Sequence, residues 1–222
     1  MNSQYQAPNL SKQLFARTNC QTIAQRVKLL SELLPGVQSV AELCCGDCAE
    51  QWRAYTKQVG ISSFLALDIN SEIVAQNRGL GIECICGDVL DSELLRLFLG
   101  HEVLFYGPPL SVACDGHRLL SFAQVTPSYK QFAGLLLGVL RYDGTVVCIC
   151  PKSTTMGEIR WLYHQIQAER SDIGLGLIHY SYSTLTGSGE ETEPRLKYVE
   201  LWFSTRLENA WTIRESGNGA PA

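Results

Sequence analysis

The chain has 222 residues, of which 45% are hydrophobic and 18% are charged, and its formal net charge at pH 7 is -4. This length and composition suit one compact domain with a sheet covered on both faces, and they exclude a second large domain. The negative charge excludes a broad basic surface for nucleic acid but is compatible with a local basic patch. The first residues lack a signal-peptide core and no segment is apolar enough to cross a bilayer, so we expect a cytoplasmic protein.

The N-terminal region is predicted to form a leader and one helix. Residues 5–19 mix aromatic and basic side chains, which is compatible with a lid over a ligand or with a solvated leader. The lid candidates are Lys12, Phe15 and Arg17. From Thr18 to Leu34, apolar residues recur at spacings of three and four, which predicts an amphipathic helix ended by a Pro-Gly pair. We therefore divide the chain into residues 1–35, a core at 36–207 and a partly disordered tail at 208–222.

Strands and helices alternate along the predicted core. Strands are predicted at 39–45, 64–69, 83–86, 102–106 and 145–150, and helices at 49–59, 71–78, 92–99, 128–140 and 156–170. This alternation is typical of a doubly wound α/β fold with parallel strands. Two further strands, 176–185 and 196–205, follow one another without a helix and should pair antiparallel. The prediction is a mostly parallel seven-stranded sheet with an antiparallel C-terminal hairpin and helices on both faces.

Ligands of open parallel sheets bind at the carboxyl ends of the strands. The first strand runs into the turn Glu42-Leu43-Cys44-Cys45-Gly46-Asp47-Cys48, where Gly46 lets the backbone approach a ligand closely. The second strand ends in Asp68-Ile69, which offers a carboxylate for a ribose diol beside an apolar cover for adenine. The third ends in Asp88-Val89, and Asp88 is suited to accept a hydrogen bond from the adenine amino group.

The fourth strand ends in Tyr106-Gly107-Pro108-Pro109, a turn that its two prolines make rigid. The loop after it carries Asp115 and His117, and a histidine titrates near neutrality. Both residues are therefore candidates for the general base that takes a proton from an acceptor, although Asp-Gly is also an ordinary turn. Tyr106 is the stronger candidate for contact with the substrate.

These four strand ends, in this order, resemble the motifs of class I S-adenosylmethionine (SAM)-dependent methyltransferases, and the resemblance covers nearly the whole chain. It implies that SAM is the cofactor and that the fourth motif faces both the methyl group and the acceptor. The implied cofactor-binding residues lie at the ends of the first four strands. They are Glu42, Cys44, Gly46, Asp68, Ile69, Asp88, Val89, Tyr106, Gly107 and Pro108.

The sequence also departs from that family. Two of the three glycine positions of the first motif are Cys44 and Cys48. The G-x-G-x-x-G turn of nicotinamide-binding proteins is absent, which weighs more heavily against that alternative. Gly107 stands where amino-group methyltransferases carry Asn or Asp. A partial resemblance to ribose 2'-O-methyltransferases depends on Lys152 and Glu200.

The chain has nine cysteines, and most lie in apolar runs where free cysteine behaves as a small hydrophobic residue. No C-x-x-C pair combines with a second one at zinc spacing, so we expect neither a metal site nor disulfides.

The sequence therefore predicts a SAM-dependent methyltransferase of an unidentified acceptor, with a small molecule slightly favoured. The alternatives are an RNA or protein methyltransferase of the 2'-O-ribose or amino type and a catalytically silent SAM-binding sensor. We expect no membrane partner. A nucleic acid partner is allowed but not favoured, and a homodimer is compatible with the sequence.

Overall fold

The computed structural model describes residues 18, 20–112, 118–185, 191–207 and 211–216. The strands within these residues are β1 (Ser39–Leu43), β2 (Ser63–Asp68), β3 (Cys84–Cys86), β4 (Val103–Tyr106), β5 (Ser111–Val112), β6 (Arg118–Leu119), β7 (Thr145–Pro151), β8 (Gly174–Leu185), β9 (Glu191–Ser204) and β10 (Thr212–Ser216). The helices are α1 (Cys20–Leu33), α2 (Ala49–Ala54), α3 (Ser71–Gly79), α4 (Ser92–Arg96), α5 (Tyr129–Ala133) and α6 (Met156–Glu169). Helices α2 and α5 continue as π-helical turns at Tyr55–Val59 and Gly134–Val139.

The main sheet has the strand order β3-β2-β1-β4-β7-β9-β8-β10, and β5 pairs with β6 in a separate ribbon. Strands β1, β2, β3, β4 and β7 are parallel, whereas β9 is antiparallel to both β7 and β8. The predicted doubly wound sheet with an antiparallel hairpin is therefore confirmed. The chain order reverses between β1 and β4, so these two strands flank the crevice where such sheets bind ligands.

The predicted strand number was wrong by one, because the main sheet has eight strands within the described residues. The additional strand, β10, lies in the segment that we assigned to the C-terminal tail, and it pairs parallel with β8. Without it, β8 would present unpaired backbone groups along its edge, and the returning chain satisfies them. The segment is short and largely polar, and its second residue, Ile213, is exposed, so its sequence lacks the apolar pattern of a buried strand.

Helices cover both faces of the sheet. Residues of α1, α2 and α3 pack on one face, including Ile23, Val27, Leu30, Ala49 and Val74. Residues of α4, α5 and α6 pack on the other, including Leu95, Phe132, Ala133, Ile159 and Leu162. Strands β4 and β7 are buried along their whole length, so only the residues that follow their carboxyl ends can reach a ligand. No helix in the described part of the chain is long and apolar enough to cross a membrane.

Candidate active site

The turn after β1 has a strained backbone. Cys44 has a φ of 58° and Gly46 a φ of 55°, so both lie in the left-handed region. This conformation costs a residue with a side chain roughly 1–2 kcal/mol. Two contacts hold the turn, because the Gly46 N–H donates to Asp68 Oδ2 at 2.9 Å and the Gly46 carbonyl accepts from Asn77 Nδ2 at 2.9 Å. The second strand and α3 thus maintain a conformation that Cys44 alone would not favour.

The carboxylates that follow β2 and β3 do not cap the helices after them. Asp68 and Asp88 each accept one hydrogen bond, at 2.9 Å, from the backbone N–H two residues later. The N-caps of α3 and α4 are instead Asn70 and Asp91. Both carboxylates therefore keep lone pairs for a ligand. The Gly87 N–H donates to the Asp68 carbonyl at 3.0 Å, so Asp88 follows at the same edge of the sheet as Asp68, which contacts the first turn. Burial, and then the charges of Asp68 and Asp88, raise the pKa of the Cys44 thiol.

The apolar residues beside these carboxylates differ in exposure. Ile69 is 66% exposed, although it is a large hydrophobic residue, and it stands next to the half-buried Asp68. Val89 is only 4% exposed and packs in the core with Leu95 and Phe98. Ile69 can therefore cover one face of a planar ring, whereas the Val89 side chain does not reach the surface.

At the end of β4, backbone groups rather than reactive side chains are available to a ligand. The Tyr106 ring is buried and stacks on Phe132 with 3.8 Å between ring centroids, and its hydroxyl donates to the Pro127 carbonyl at 2.6 Å. Burial and the nearby Cys44 raise the pKa of this hydroxyl. The Gly107 N–H donates to the Leu43 carbonyl at 3.1 Å, which joins this turn to the end of β1. Tyr106 is therefore a packing residue whose proton already has an acceptor.

The space between Gly107 and the side chain of Ile149 on strand β7 is narrow. A Cβ atom at this position would lie 3.2 Å from Ile149 Cδ1 on the neighbouring strand β7, so a larger residue would displace that side chain. Pro108 after it is buried, and Pro109 is exposed. The two catalytic candidates Asp115 and His117 lie outside the described residues.

Glu42 is 3% exposed and belongs to a buried charge network beneath the sheet. We use the name buried charge network for the side chains of Arg26, Glu42, Tyr55, His179 and Glu200. Tyr55 Oη donates to Glu42 Oε1 at 3.1 Å, and Arg26 Nη1 lies 4.0 Å from the same oxygen. Arg26 Nε donates to Glu200 Oε1 at 2.7 Å, and His179 Nδ1 lies 3.0 Å from Glu200 Oε2. The network joins α1 and the end of α2 to strands β1, β8 and β9.

The two carboxylates of this network differ in their acidity. Burial raises the pKa of Glu42 to about 7, because the attraction of Arg26 and the hydrogen bond from Tyr55 offset the lost hydration only in part. Burial acts in the same sense on Glu200, but the contacts with Arg26 and His179 lower its pKa to about 2. Glu200 is therefore the ionised carboxylate that forms the ion pair with Arg26.

Sequence reasoning missed Arg26, Tyr55 and His179 as members of this network. Arg26 did leave a signal, because it falls on the apolar stripe of α1, between Ile23 and Val27 on the side that faces the sheet. A charged residue at such a position is buried with a partner. The partners come from strands far along the chain, and periodicity does not identify them.

The pair of Lys152 and Glu200, on which the 2'-O-methyltransferase alternative depended, is not formed. Glu200 is fully buried and bound to Arg26 and His179, whereas Lys152 is exposed after β7. A lysine that deprotonates a hydroxyl in that enzyme class would need its acid within contact distance. The two residues that supported this alternative therefore do not form the pair that it requires.

The described cysteines are all free thiols. Cys45, Cys48 and Cys84 are buried on the α1 face of the sheet, and Asn77 Nδ2 lies 3.6 Å from Cys45 Sγ and 4.0 Å from Cys84 Sγ. Within the described residues, no three metal-ligating side chains come together in a group that could hold an ion. The three thiols serve as packing beneath the first turn.

No protein family model matches the chain, and no curated protein is detectably similar to it in sequence. Solved structures are similar in fold. An inferred RNA methyltransferase from Pyrococcus horikoshii superposes with a TM-score of 0.59 at 15% identity, over 93% of this chain and 91% of that one. The methyltransferase domain of bacterial CtHen1-CN gives a TM-score of 0.53 at 10% identity, over 83% and 97%. A DNMT2 mutant from Spodoptera frugiperda gives 0.52 at 14% identity, and the chain spans 54% of its length.

The chain has the class I methyltransferase fold. In this fold, the turn after β1 and the ends of β2, β3 and β4 correspond to the four motifs that the sequence resembles. The structure brings the first turn, Asp68 and Asp88 together at one edge of the sheet. It buries the side chains of Glu42, Val89 and Tyr106.

Proposed function

We propose that this protein is a SAM-dependent methyltransferase. The observation that carries the proposal is the grouping of Asp68, Ile69 and Asp88 around the strained turn of Gly46, beside the point where the strand order reverses. The fold alone would be compatible with other nucleoside ligands. Two carboxylates with free lone pairs and an exposed isoleucine are the groups that an adenosine moiety needs.

The residues at the edge of the sheet would contact different parts of SAM. Asp68 would accept from the ribose hydroxyls, Ile69 would cover the adenine, and Asp88 would accept from its amino group. The turn at Gly46 would contact the methionine part through its backbone, and Gly107 would do the same from β4. When bound, SAM supplies an electrophilic methyl group for in-line transfer to a nucleophile, so the protein acts mainly by positioning both partners and excluding water.

Glu42 does not fit the role that the resemblance implies for it. Its carboxylate is buried and contacts Tyr55 and Arg26, so it would shape the first turn from below rather than contact the cofactor. Val89 and Tyr106 would likewise act through packing. The catalytic base stays a prediction, with Asp115 and His117 as its candidates.

The acceptor is a separate question. The sequence slightly favoured a small molecule, and among the similar structures one is an inferred RNA methyltransferase. Amino-group transfer is disfavoured because Gly107 has no side chain to accept from an amine. A cytoplasmic location and a homodimer also stay predictions.

Calorimetry with SAM and its demethylated product tests the proposal. Asp88 is exposed and makes one local hydrogen bond, so Asp88→Ala should fold normally. We expect it to weaken binding of both ligands roughly 10-fold to 100-fold, since a hydrogen bond to a charged group contributes about 1.5–3 kcal/mol. Glu93→Gln, an exposed acid on α4, is the matched control and should bind as the unchanged protein does. If the unchanged protein binds neither ligand, the proposal is wrong.

A second candidate is a SAM-binding sensor without catalysis. It is favoured by one observation, namely that Tyr106 and Gly107 offer no free proton acceptor in the described part of the fourth motif. Tight binding of SAM without methyl transfer to any of a broad acceptor panel would support it. Nicotinamide binding, the third alternative, requires that NADH bind more tightly than SAM.

A further inference from the structure

Three basic residues lie at the carboxyl edge of the sheet, beyond the end of β7. Lys152 directly follows this strand, and Arg195 and Lys197 lie in the first half of β9. Pro151 pairs with Tyr198, so the next residues outward on the two strands are Lys152 and Lys197. The pairing of β9 with β8 continues beyond this point, and the hairpin therefore projects past the edge of β7. We call Lys152, Arg195 and Lys197 the basic edge.

The charges of the basic edge are not neutralised within the described residues. Some other basic residues, namely Lys28, Arg170 and Arg214, lie within ion-pair distance of an acid. No such ion pair involves the basic edge in the part of the chain that the structure describes. Burial, and then repulsion by Arg195 and Lys152, lower the pKa of Lys197. Like charges held side by side cost free energy, which a bound anion would recover.

The basic edge adjoins the place where an acceptor would lie. Strand β7 is the neighbour of β4, and Tyr106 pairs with Cys148. The turn at Gly107 and Pro108 and the basic edge therefore follow adjacent strands at the same end of the sheet. An anion bound by the basic edge would be held next to the fourth motif, not at the adenosine side near β2 and β3.

We propose that the basic edge binds the phosphodiester backbone of a polynucleotide, and hence that the acceptor of the proposed methyl transfer lies in a nucleic acid. This inference rests on the proposed function. Lys152 and Arg195 are exposed and Lys197 is half-buried, so among the described residues the three cations lie along a projecting, open surface. Small ligands are held in concave sites that bury most of their surface, whereas a chain of phosphates can follow an open one. The net charge of -4 confines such binding to a local patch.

Binding of a labelled mixed-sequence oligonucleotide, followed by fluorescence anisotropy at several salt concentrations, tests this inference on the full chain. RNA and DNA of the same sequence form two arms, and inorganic pyrophosphate serves as a competitor. The test variant is the double substitution Lys152→Ala, Lys197→Ala. The matched control is Arg53→Ala, Lys57→Ala, which removes two exposed cations from α2 and the π-helical turn after it.

Each phosphate contact on a single strand contributes about 0.7 to the slope of log K against log salt. We therefore expect the test variant to bind more weakly and to lose about 1.4 from this slope, while the control keeps the slope of the unchanged protein. The same loss in both arms supports a backbone contact common to RNA and DNA, and a loss in the RNA arm alone supports RNA as the acceptor. No binding of either polymer, an unchanged slope in the test variant or displacement by equimolar pyrophosphate would overturn the inference. Calorimetry with SAM on the same variants should show unchanged affinity, and failure of SAM to bind would instead overturn the proposed function.

Discussion

At the scale of single residues, position along the chain was easier to predict than burial. The carboxyl ends of parallel strands meet at one edge of the sheet, and the end of each apolar run therefore predicted the places of Asp68, Ile69 and Asp88. It did not indicate that Glu42 and Val89 point into the core. Successive strand residues face opposite sides, and in a strand buried on both faces the apolar pattern does not say what a polar residue will meet. Glu42 meets Arg26, which comes from another element.

The raised pKa of Glu42 predicts how stability depends on pH. A carboxyl group whose pKa is about 7 when folded, above its usual value, stabilises the fold at low pH and loses this contribution as the pH rises through 7. Glu42→Gln keeps the size of the side chain and an acceptor for Tyr55. We expect the variant to gain up to about 3 kcal/mol in free energy of unfolding, relative to the unchanged protein, between pH 5 and pH 8.

Urea unfolding at several pH values measures this difference. Glu200 has the opposite dependence, but its pKa of about 2 lies below the range from pH 5 to pH 8, so it stays ionised in both folded proteins throughout the comparison. Glu93→Gln, which removes an exposed carboxylate, should track the unchanged protein at every pH. A stability difference between the Glu42→Gln variant and the unchanged protein that does not vary with pH would contradict the assignment.

At the scale of elements, periodicity predicted the alternation of helices and strands but not the whole sheet. Apolar residues at helical spacing defined α1, because this helix buries one face. The segment 191–195 is polar and projects with the hairpin, and β10 is short and exposed, so neither has the apolar pattern of a buried strand. Both form because they pair with β8, and this partner is set by the tertiary fold.

The buried charge network predicts that α1 is attached to the sheet through Arg26. Arg26→Met would leave Glu200 and Glu42 buried without their cation, which typically costs 3–5 kcal/mol, that is, about 4 kcal/mol in free energy of unfolding. Lys28→Met changes an exposed residue of the same helix and should cost less than about 0.5 kcal/mol. Chemical denaturation measures both.

Arg26→Lys is a second variant for the case in which Arg26→Met fails to fold. It keeps the charge and loses the planar donor pair, so its stability should lie between the other two. Equal stability of the Arg26→Met and Lys28→Met variants would show that the network does not hold α1 in place.

At the scale of the whole molecule, the fold predicts where a ligand would bind but does not identify the methyl acceptor. The sheet order and the reversal between β1 and β4 predict where a ligand would bind, and the similar structures share this architecture at 10–15% identity. The acceptor depends instead on the surface beside β4 and β7. That surface is made by loops and by the hairpin, and the sequence patterns that predict a fold do not describe its shape.

A crystal structure of the protein with the demethylated product of SAM tests the central claim most directly. We expect the ligand at the carboxyl edge of β1 and β4, with its ribose on Asp68, its adenine against Ile69 and its amino group at Asp88. Glu42 should remain in contact with Tyr55 and Arg26 in that complex. Binding at another place, or a structure without the ligand at saturating concentration, would contradict the account.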